Sequence, residues 1–167
     1  IPVVPFGAGT SLEGHVLPLK GGISLDMTEM NKVLKISAED LTVRVEAGVT
    51  RVTLNNLLSK EGLFFSVDPG ADATLGGMAS TGAAGTTTVK YGSMRENVLA
   101  LTAVLADGTL INVGRSTRKL SAGYDLTRLL VGSEGTLAVI TELTLRIFGI
   151  PERMSAAIVR FNSLADG

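Results

Sequence analysis

The sequence predicts an α+β domain in which a mixed, largely antiparallel sheet is flanked by helices. Three observations carry that expectation. Segments alternating apolar and polar residues with period two, the mark of a half-buried strand, outnumber segments of helical period. They come in clusters, without the helix after each strand that a parallel βαβ sheet requires. An Asp107-Gly108 pair between two apolar runs marks an antiparallel hairpin.

Each element follows from local chemistry. Ile23, Leu25 and Met27 alternate with Ser24 and Asp26; Leu41, Val43 and Val45 alternate with Thr42, Arg44 and Glu46. Thr50 suits the N-cap of a helix over 51–61, with Leu54, Leu57 and Leu58 on one face and Gly62 as its stop. Thr74 is placed to cap a short helix ending at Ser80. Residues 100–106 and 109–113 form the two arms of the hairpin, and Asp125 caps a further helix to Leu130. The longest alternation, 137–148, puts Leu137, Val139, Thr141, Leu143, Leu145 and Ile147 on one side and Glu142, Thr144 and Arg146 on the other. Gly149-Ile150-Pro151-Glu152 breaks the pattern. A new strand is expected over 155–161, followed by a cap at Asn162 or Ser163. A domain boundary is therefore expected near Pro151.

Composition narrows the function. Fifteen basic and sixteen acidic residues leave a formal charge of -1, which gives no compositional case for nucleic acid or an anionic membrane surface. Without Cys there is neither a disulfide framework nor a thiolate metal site. Unbroken apolar runs such as 98–106 are too short to span a bilayer. Glycine is abundant, 20 of 167 residues against an ordinary usage of about 7%, yet the chain is not low-complexity. It starts with Ile1 inside an apolar stretch, the beginning expected of a fragment or processed product.

Three glycine-rich segments carry the chemistry. The first is Pro5-Phe6-Gly7-Ala8-Gly9-Thr10-Ser11-Leu12-Glu13-Gly14. Glycines let a backbone approach an anion closely, and successive N–H groups can form a concave nest for it. Taken alone, the segment reads equally as a tight turn between strands. Gly7-Ala8-Gly9 begins like the dinucleotide fingerprint, but Leu12 stands at the third glycine position. Gly9 and Gly14 have P-loop spacing, but His15-Val16 follow where Lys and Ser/Thr are needed.

The second is Asp68-Pro69-Gly70-Ala71-Asp72-Ala73-Thr74-Leu75-Gly76-Gly77-Met78-Ala79-Ser80-Thr81-Gly82-Ala83-Ala84-Gly85. Its small side chains suit a large flat group lying against backbone. A helix starting near Thr74 is expected to aim N–H groups at an anion. The alternative is a flexible linker, against which stands its apolar, non-repetitive composition. The third is Val131-Gly132-Ser133-Glu134-Gly135-Thr136-Leu137-Ala138-Val139-Ile140-Thr141, a turn feeding the longest strand. It is not a serine nucleophile elbow, because Val131 replaces the first glycine of that pattern.

Together these loops, with KYGSMRENV at 90–98 and SAGYDL at 121–126, resemble the PCMH-type FAD-binding domain of the vanillyl-alcohol-oxidase superfamily. The likeness is greatest to the branch of flavin-dependent D-lactate dehydrogenases and glycolate oxidase flavoprotein subunits. It runs over residues 1–152, almost the whole chain. It implies an FAD-binding domain over 1–150, with its N-terminal part missing, and 151–167 as linker and start of a C-terminal substrate (cap) domain.

The resemblance also implies roles for residues. Pro5, Phe6, Gly7, Ala8, Gly9, Thr10 and Ser11 would wrap the FAD diphosphate. Asp68, Pro69, Gly70, Ala71, Asp72, Ala73, Thr74, Leu75, Gly76 and Gly77 would line the flavin and diphosphate. Thr81, Gly82, Ala83, Ala84, Gly85 and Gly92 would add backbone contacts, and Glu134, Gly135, Thr136, Leu137, Ala138, Val139 and Ile140 would meet the adenosine part. Some family members tether flavin through a His in or near the glycine loop. This loop has none and His15 follows it, so FAD is expected to be non-covalent and His15 a structural residue or a donor to groups that themselves touch the cofactor. Lys90, Arg95, Arg118, Lys119 and Tyr124 are polar candidates for the pocket border.

The activity implied is oxidation of a 2-hydroxy acid to its 2-oxo acid, with electrons passed to a cytochrome, quinone or other acceptor. Catalytic base, carboxylate clamp and any divalent metal are expected in the missing C-terminal domain, since one His cannot build a His-rich metal site. An oxidase, an alkyl-dihydroxyacetone-phosphate synthase-like enzyme and a non-catalytic FAD-binding module remain open, because fold does not fix chemistry. Location stays open between cytoplasm and membrane periphery, with the mitochondrion expected in a eukaryote.

Overall fold

The computed structural model describes residues 1–117, 123–153, 155, 157–161, 163 and 165. In chain order its elements are β1 (Val3–Phe6), β2 (Ile23–Asp26), β3 (Val33–Ser37), β4 (Thr42–Glu46), α1 (Arg51–Leu58) with a 3-10 turn at Ser59–Glu61, β5 (Leu63–Phe64), α2 (Leu75–Thr81), the one-turn helices α3 (Thr88–Tyr91) and α4 (Met94–Asn97), β6 (Val98–Leu105), β7 (Leu110–Gly114), α5 (Leu126–Leu130), β8 (Ala138–Arg146) and β9 (Phe148–Gly149). The main sheet has five strands in the order β3-β4-β8-β6-β7, antiparallel throughout. A parallel pair, β1 with β2, and a short antiparallel pair, β5 with β9, stand beside it. The α+β expectation holds.

The local signals act as their chemistry dictates. Thr50 Oγ1 accepts from Thr53 N at 3.2 Å and opens α1, which tightens into the 3-10 turn and stops at Gly62 in the left-handed conformation. Leu54 and Leu58, four apart, are fully buried, whereas Leu57 is 38% exposed and lies off the core face. Asp125 Oδ1 caps α5 by accepting from Arg128 N at 3.0 Å. In the β6–β7 hairpin only Gly108 has positive φ, while Asp107 Oδ1 accepts from Thr109 N at 2.9 Å. Leu105 N donates to Thr109 O at 2.9 Å, so the turn is a three-residue loop over 106–108 with Gly108 as its left-handed residue.

Three expectations are corrected. The alternation in β8 does not keep one phase. Leu143, Leu145 and Ile147 are 0% exposed, but upstream it is Ala138 and Ile140 that are buried, and Leu137 is 45% exposed. Thr102 pairs with Glu142 and Ala103 with Ile140, so Thr141 is an extra residue, a bulge. One inserted residue sends every side chain beyond it to the other face. The strand at 23–26 exists, but all four of its residues are exposed, and burial begins only at Met27. No strand forms over 155–161 among the described residues, which are exposed and have no neighbouring ladder to join.

The core lies between the main sheet and α1 and α2, and joins Val43, Val45, Leu54, Leu58, Phe65, Leu75, Met78, Leu101, Leu143 and Leu145. Helix α2 sits unusually close to the chain between β4 and α1. Leu75 N donates to Val49 O and Gly76 N to Ala47 O, each at 2.8 Å. A Cβ on Gly76 would stand 2.6 Å from Ala47 Cβ, so only glycine permits the approach. That approach makes α2 a firm floor for the cleft beside it.

Candidate functional site

A cleft of about 650 Å³ opens between β1, α2 and the start of β8. All three glycine-rich segments meet there. From the first come Pro5, Phe6, Gly7, Ala8, Gly9, Thr10 and Ser11; from the second, Pro69, Gly70, Ala71, Ala73, Thr74, Gly76, Gly77, Thr81 and Ala83; from the third, Glu134, Gly135, Thr136, Ala138, Val139 and Ile140.

The remaining expected residues stand behind or beside the wall. Asp72 Oδ1 accepts from Val52 N at 3.0 Å and so helps to cap α1. Leu75 is in the core at 0% exposure. Gly82 ends α2 in the left-handed conformation, and Gly92 joins α3 to α4 with φ 83. Ala84 and Leu137 face solvent. Asp68 braces the loop after α2: its carboxylate accepts from Thr86 Oγ1 at 2.8 Å, Thr87 N at 3.2 Å and Thr87 Oγ1 at 3.0 Å. Partial burial pushes the Asp68 pKa up, but the hydrogen bonds from Thr86 and Thr87 outweigh it and hold the carboxyl below its ordinary range. Gly85 lies so close to Asp68 that a Cβ there would overlap its backbone and carboxylate.

Among the polar border candidates, Tyr124 is 93% exposed and Lys90 stacks over the Tyr91 ring at 5.0 Å. Arg95 is exposed, and none of these three lines the cleft. Arg118 and Lys119 lie outside the described residues, as does part of 121–126. Sequence reasoning missed Val3, Val4, Leu12, Val16, Met27, Ala47, Met78 and Ser80, which complete the wall together with His15, which that reasoning named only as structural or an indirect donor. Met27 and Ala47 follow directly on β2 and β4, far along the chain from the glycine loops, and carry no motif. Leu12 lies within the first glycine segment and Val16 two residues after it, and that position is the signal that could have found them.

The electrostatics of the cleft come from its backbone. No Lys or Arg lines it among the described residues, and its one acidic side chain is that of Glu134. The N–H groups of Gly7, Ala8, Gly9, Thr10 and Ser11 make no hydrogen bond within the described protein, nor do those of Gly70, Ala71 and Gly135. Gly9 has φ 64, as a change of direction in an amide nest requires. Ala8, Gly9, Thr10, Gly70 and Ala71 are exposed and Gly7, Ser11 and Gly135 half-buried, so these amides stand open along the cleft wall and suit an acceptor-rich ligand.

Helix α2 is not the anion site that its sequence position promised. Leu75 N and Gly76 N are spent on Val49 O and Ala47 O, and Gly77 N is taken by Thr74 Oγ1 at 3.4 Å. The donors left free belong to the loops.

This design defines a class: a domain whose cleft offers main-chain amides to an acceptor-rich ligand, outside both the Rossmann and P-loop solutions. The family model described as "FAD binding domain" matches residues 1–114. The chain belongs to the FAD-binding domain family. It is 54% identical over 98% of its length to a protein of Danio rerio named "Probable D-lactate dehydrogenase, mitochondrial", covering 34% of that protein. It is 47% identical over 99% of its length to "D-lactate dehydrogenase [cytochrome], mitochondrial" of Arabidopsis thaliana, covering 29% of it. It is 38% identical over 98% of its length to "Glycolate oxidase subunit GlcD" of Bacillus subtilis, covering 35% of it. Among solved structures, an alkyldihydroxyacetonephosphate synthase matches 90% of the chain at 28% identity, with a TM-score of 0.79 and 28% of that chain covered. The chain thus spans about a third of the length of these curated relatives.

The cleft fits FAD on physical grounds. Its volume is in the usual range for small-molecule sites, roughly 300–1,000 Å³. Its free amides match a diphosphate, and glycine at position 7 lets the first loop lie against Thr74, whose Oγ1 any side chain there would overlap.

Proposed function

We propose that this chain is the FAD-holding core of an enzyme that oxidises a 2-hydroxy acid of the D-lactate or glycolate type to the 2-oxo acid. The observation that carries the reading is the near full-length likeness to two D-lactate dehydrogenases, at 54% and 47% identity. Bound FAD supplies the acceptor for the substrate's α-hydrogen and its electron pair; the protein's part is to bind, orient and tune it. The amides of residues 7–11 hold the diphosphate, with Gly70, Ala71 and Gly135 as further donors. Gly76 and Gly77 present a flat floor, made rigid by the bonds from α2 to Ala47 and Val49. Residues 134–140 take the adenosine part, and Asp68 keeps the loop after α2 in place.

FAD is held without a covalent tether in this reading, because the first glycine loop contains no His. The domain ends near residue 150, and the base, the carboxylate clamp and any metal belong to the substrate domain of the whole protein. Electrons leave to a cytochrome, quinone or similar acceptor. A second reading, flavin-dependent synthesis without net oxidation, is favoured by the structural likeness to the synthase, but at 28% identity it has the weaker support.

The test is an absorbance spectrum of the purified full-length protein followed by anaerobic addition of D-lactate or glycolate. Flavin bands that bleach with either acid support the proposal, and the 2-oxo acid should accumulate in step. A protein without flavin bands refutes the FAD reading. Flavin that no 2-hydroxy acid reduces refutes the substrate assignment and favours the synthase.

A further inference from the structure

Among the described residues the cleft wall is rich in open amides and carries one acidic side chain, that of Glu134. The turn that holds Glu134 does not account for it. Its φ is 53, in the left-handed region that suits glycine or asparagine, and the turn uses glycine on either side, at Gly132 and Gly135. A side chain kept on a strained backbone in a ligand cleft marks a functional position. The carboxylate is exposed and makes no hydrogen bond or ion pair within the described protein.

Helix α2 sets its place along the cleft. Gly7, the first of the open amides at 7–11, packs against Thr74 at the N-terminal end of that helix. Glu134 N donates to Ser80 O at 2.9 Å. From Thr74 to Ser80 is about 9 Å along the axis at a rise of ~1.5 Å per residue. A carboxylate touching a diphosphate on the 7–11 amides would be repelled, so at this remove it has to meet a part of the ligand that donates. Two adjacent ribose hydroxyls match the two oxygens of a carboxylate.

We propose that the Glu134 carboxylate accepts hydrogen bonds from the 2′- and 3′-hydroxyls of the adenosine ribose of bound FAD, and so selects for that half of the cofactor. The inference rests on the reading of this cleft as the FAD site, with the adenosine part at residues 134–140. Glu134 binds the cofactor in this scheme and takes no part in the redox chemistry.

The experiment uses the full-length protein stripped of flavin. Dissociation constants are measured for FAD, for the analogue with 2′,3′-dideoxyadenosine and for the analogue with hypoxanthine in place of adenine. The natural protein should bind the dideoxy analogue roughly tenfold or more weaker than FAD. Glu134→Gly should lose a similar factor for FAD and bind the two within about threefold of each other. Its flavin-free form should melt no lower than the natural protein, because glycine adopts the left-handed backbone without strain. A merely structural glutamate would instead lower the melting temperature and leave the discrimination intact. A natural protein that binds FAD and the dideoxy analogue alike overturns the proposal, as does a Glu134→Gly protein that still tells them apart. Discrimination lost only against the hypoxanthine analogue moves the contact to the adenine amino group and overturns it too. If Glu134→Gly does not fold, Glu134→Gln, which keeps the length and removes the charge, should show the same loss in smaller measure. A natural protein that takes up no FAD refutes the cleft as the FAD site, so the two failures are distinct.

Discussion

Adjacent glycines at the start of α2 should fail in opposite ways when given a methyl group. A Cβ at Gly76 would lie 2.6 Å from Ala47 Cβ and 3.0 Å from Ala47 O, about 1 Å inside the ~3.5 Å optimum for carbon atoms. Gly76 is buried and its N–H is bound to that same Ala47 O at 2.8 Å, so the helix cannot withdraw without losing the bond. Overpacking of this kind costs about 1–3 kcal/mol, against which Ala gains about 1 kcal/mol of helix propensity over Gly. Gly76→Ala should therefore lose a net ~1 kcal/mol of stability, within a range of about 0–2 kcal/mol. Gly77 is exposed on the cleft side, and a Cβ there meets only Thr74 Oγ1, at 3.0 Å. Gly77→Ala should keep or gain stability but weaken FAD, because its methyl group stands where the ligand would lie. Urea melts of the flavin-free full-length protein read the first effect, and fluorescence titration with FAD reads the second. A Gly76→Ala protein as stable as the natural one would show that the approach of α2 to Ala47 is soft. That result would sink the account of α2 as a rigid floor.

Further outcomes follow from the same geometry. Gly9→Ala should cost about 1–2 kcal/mol, since φ is 64 and a Cβ would press on the Phe6 ring at 3.0 Å, and FAD titration should show weaker binding. Asp68→Asn should lose about 1–3 kcal/mol at neutral pH by disturbing the bonds from Thr86 and Thr87. Because the native pKa of Asp68 is depressed, its stabilisation is full above the unfolded value of about 3.9 and vanishes as pH falls through the native one. Melts from pH 7 to acid should therefore bring Asp68→Asn and the natural protein together in stability. Arg44→Ala breaks the pair with Glu142, but Arg44 is 54% exposed, so denaturation should register under about 1 kcal/mol.

What could be read from the sequence was what local chemistry decides. Thr50, Thr74 and Asp125 cap helices because a hydroxyl or carboxylate reaches an amide two or three residues on, and Asp107-Gly108 turns for the same kind of reason. The phase of β8 was not legible, because the bulge at Thr141 depends on how β6 is aligned, a choice made across the sheet. Nothing near Leu75 and Gly76 reveals that their amides are taken by Val49 and Ala47. Likewise Met27 and Ala47 enter the wall only through the path of the chain. The three glycine segments were recognisable as a set, although each fails the familiar nucleotide motifs by itself.

Two kinds of glycine build the cleft, and the division explains how a cleft without Lys or Arg among the described residues can serve an anionic cofactor. At Gly76 and Gly85 the missing side chain lets elements lock together, α2 onto Ala47 and the following loop onto Asp68. The amides at this first kind of site, as at Gly76, can be spent on the fold itself. At Gly9, Gly70 and Gly135 the amides make no bond within the described protein, so they remain available in the cleft wall. A main-chain nest gives partial positive charge without the long, flexible side chains of Lys or Arg, and therefore with less side-chain entropy to lose on binding. It works only if the loops keep their shape before the ligand arrives, and the first kind of glycine provides that rigidity. Changes at the locking glycines should then act on binding through stability, and changes at the nest glycines directly.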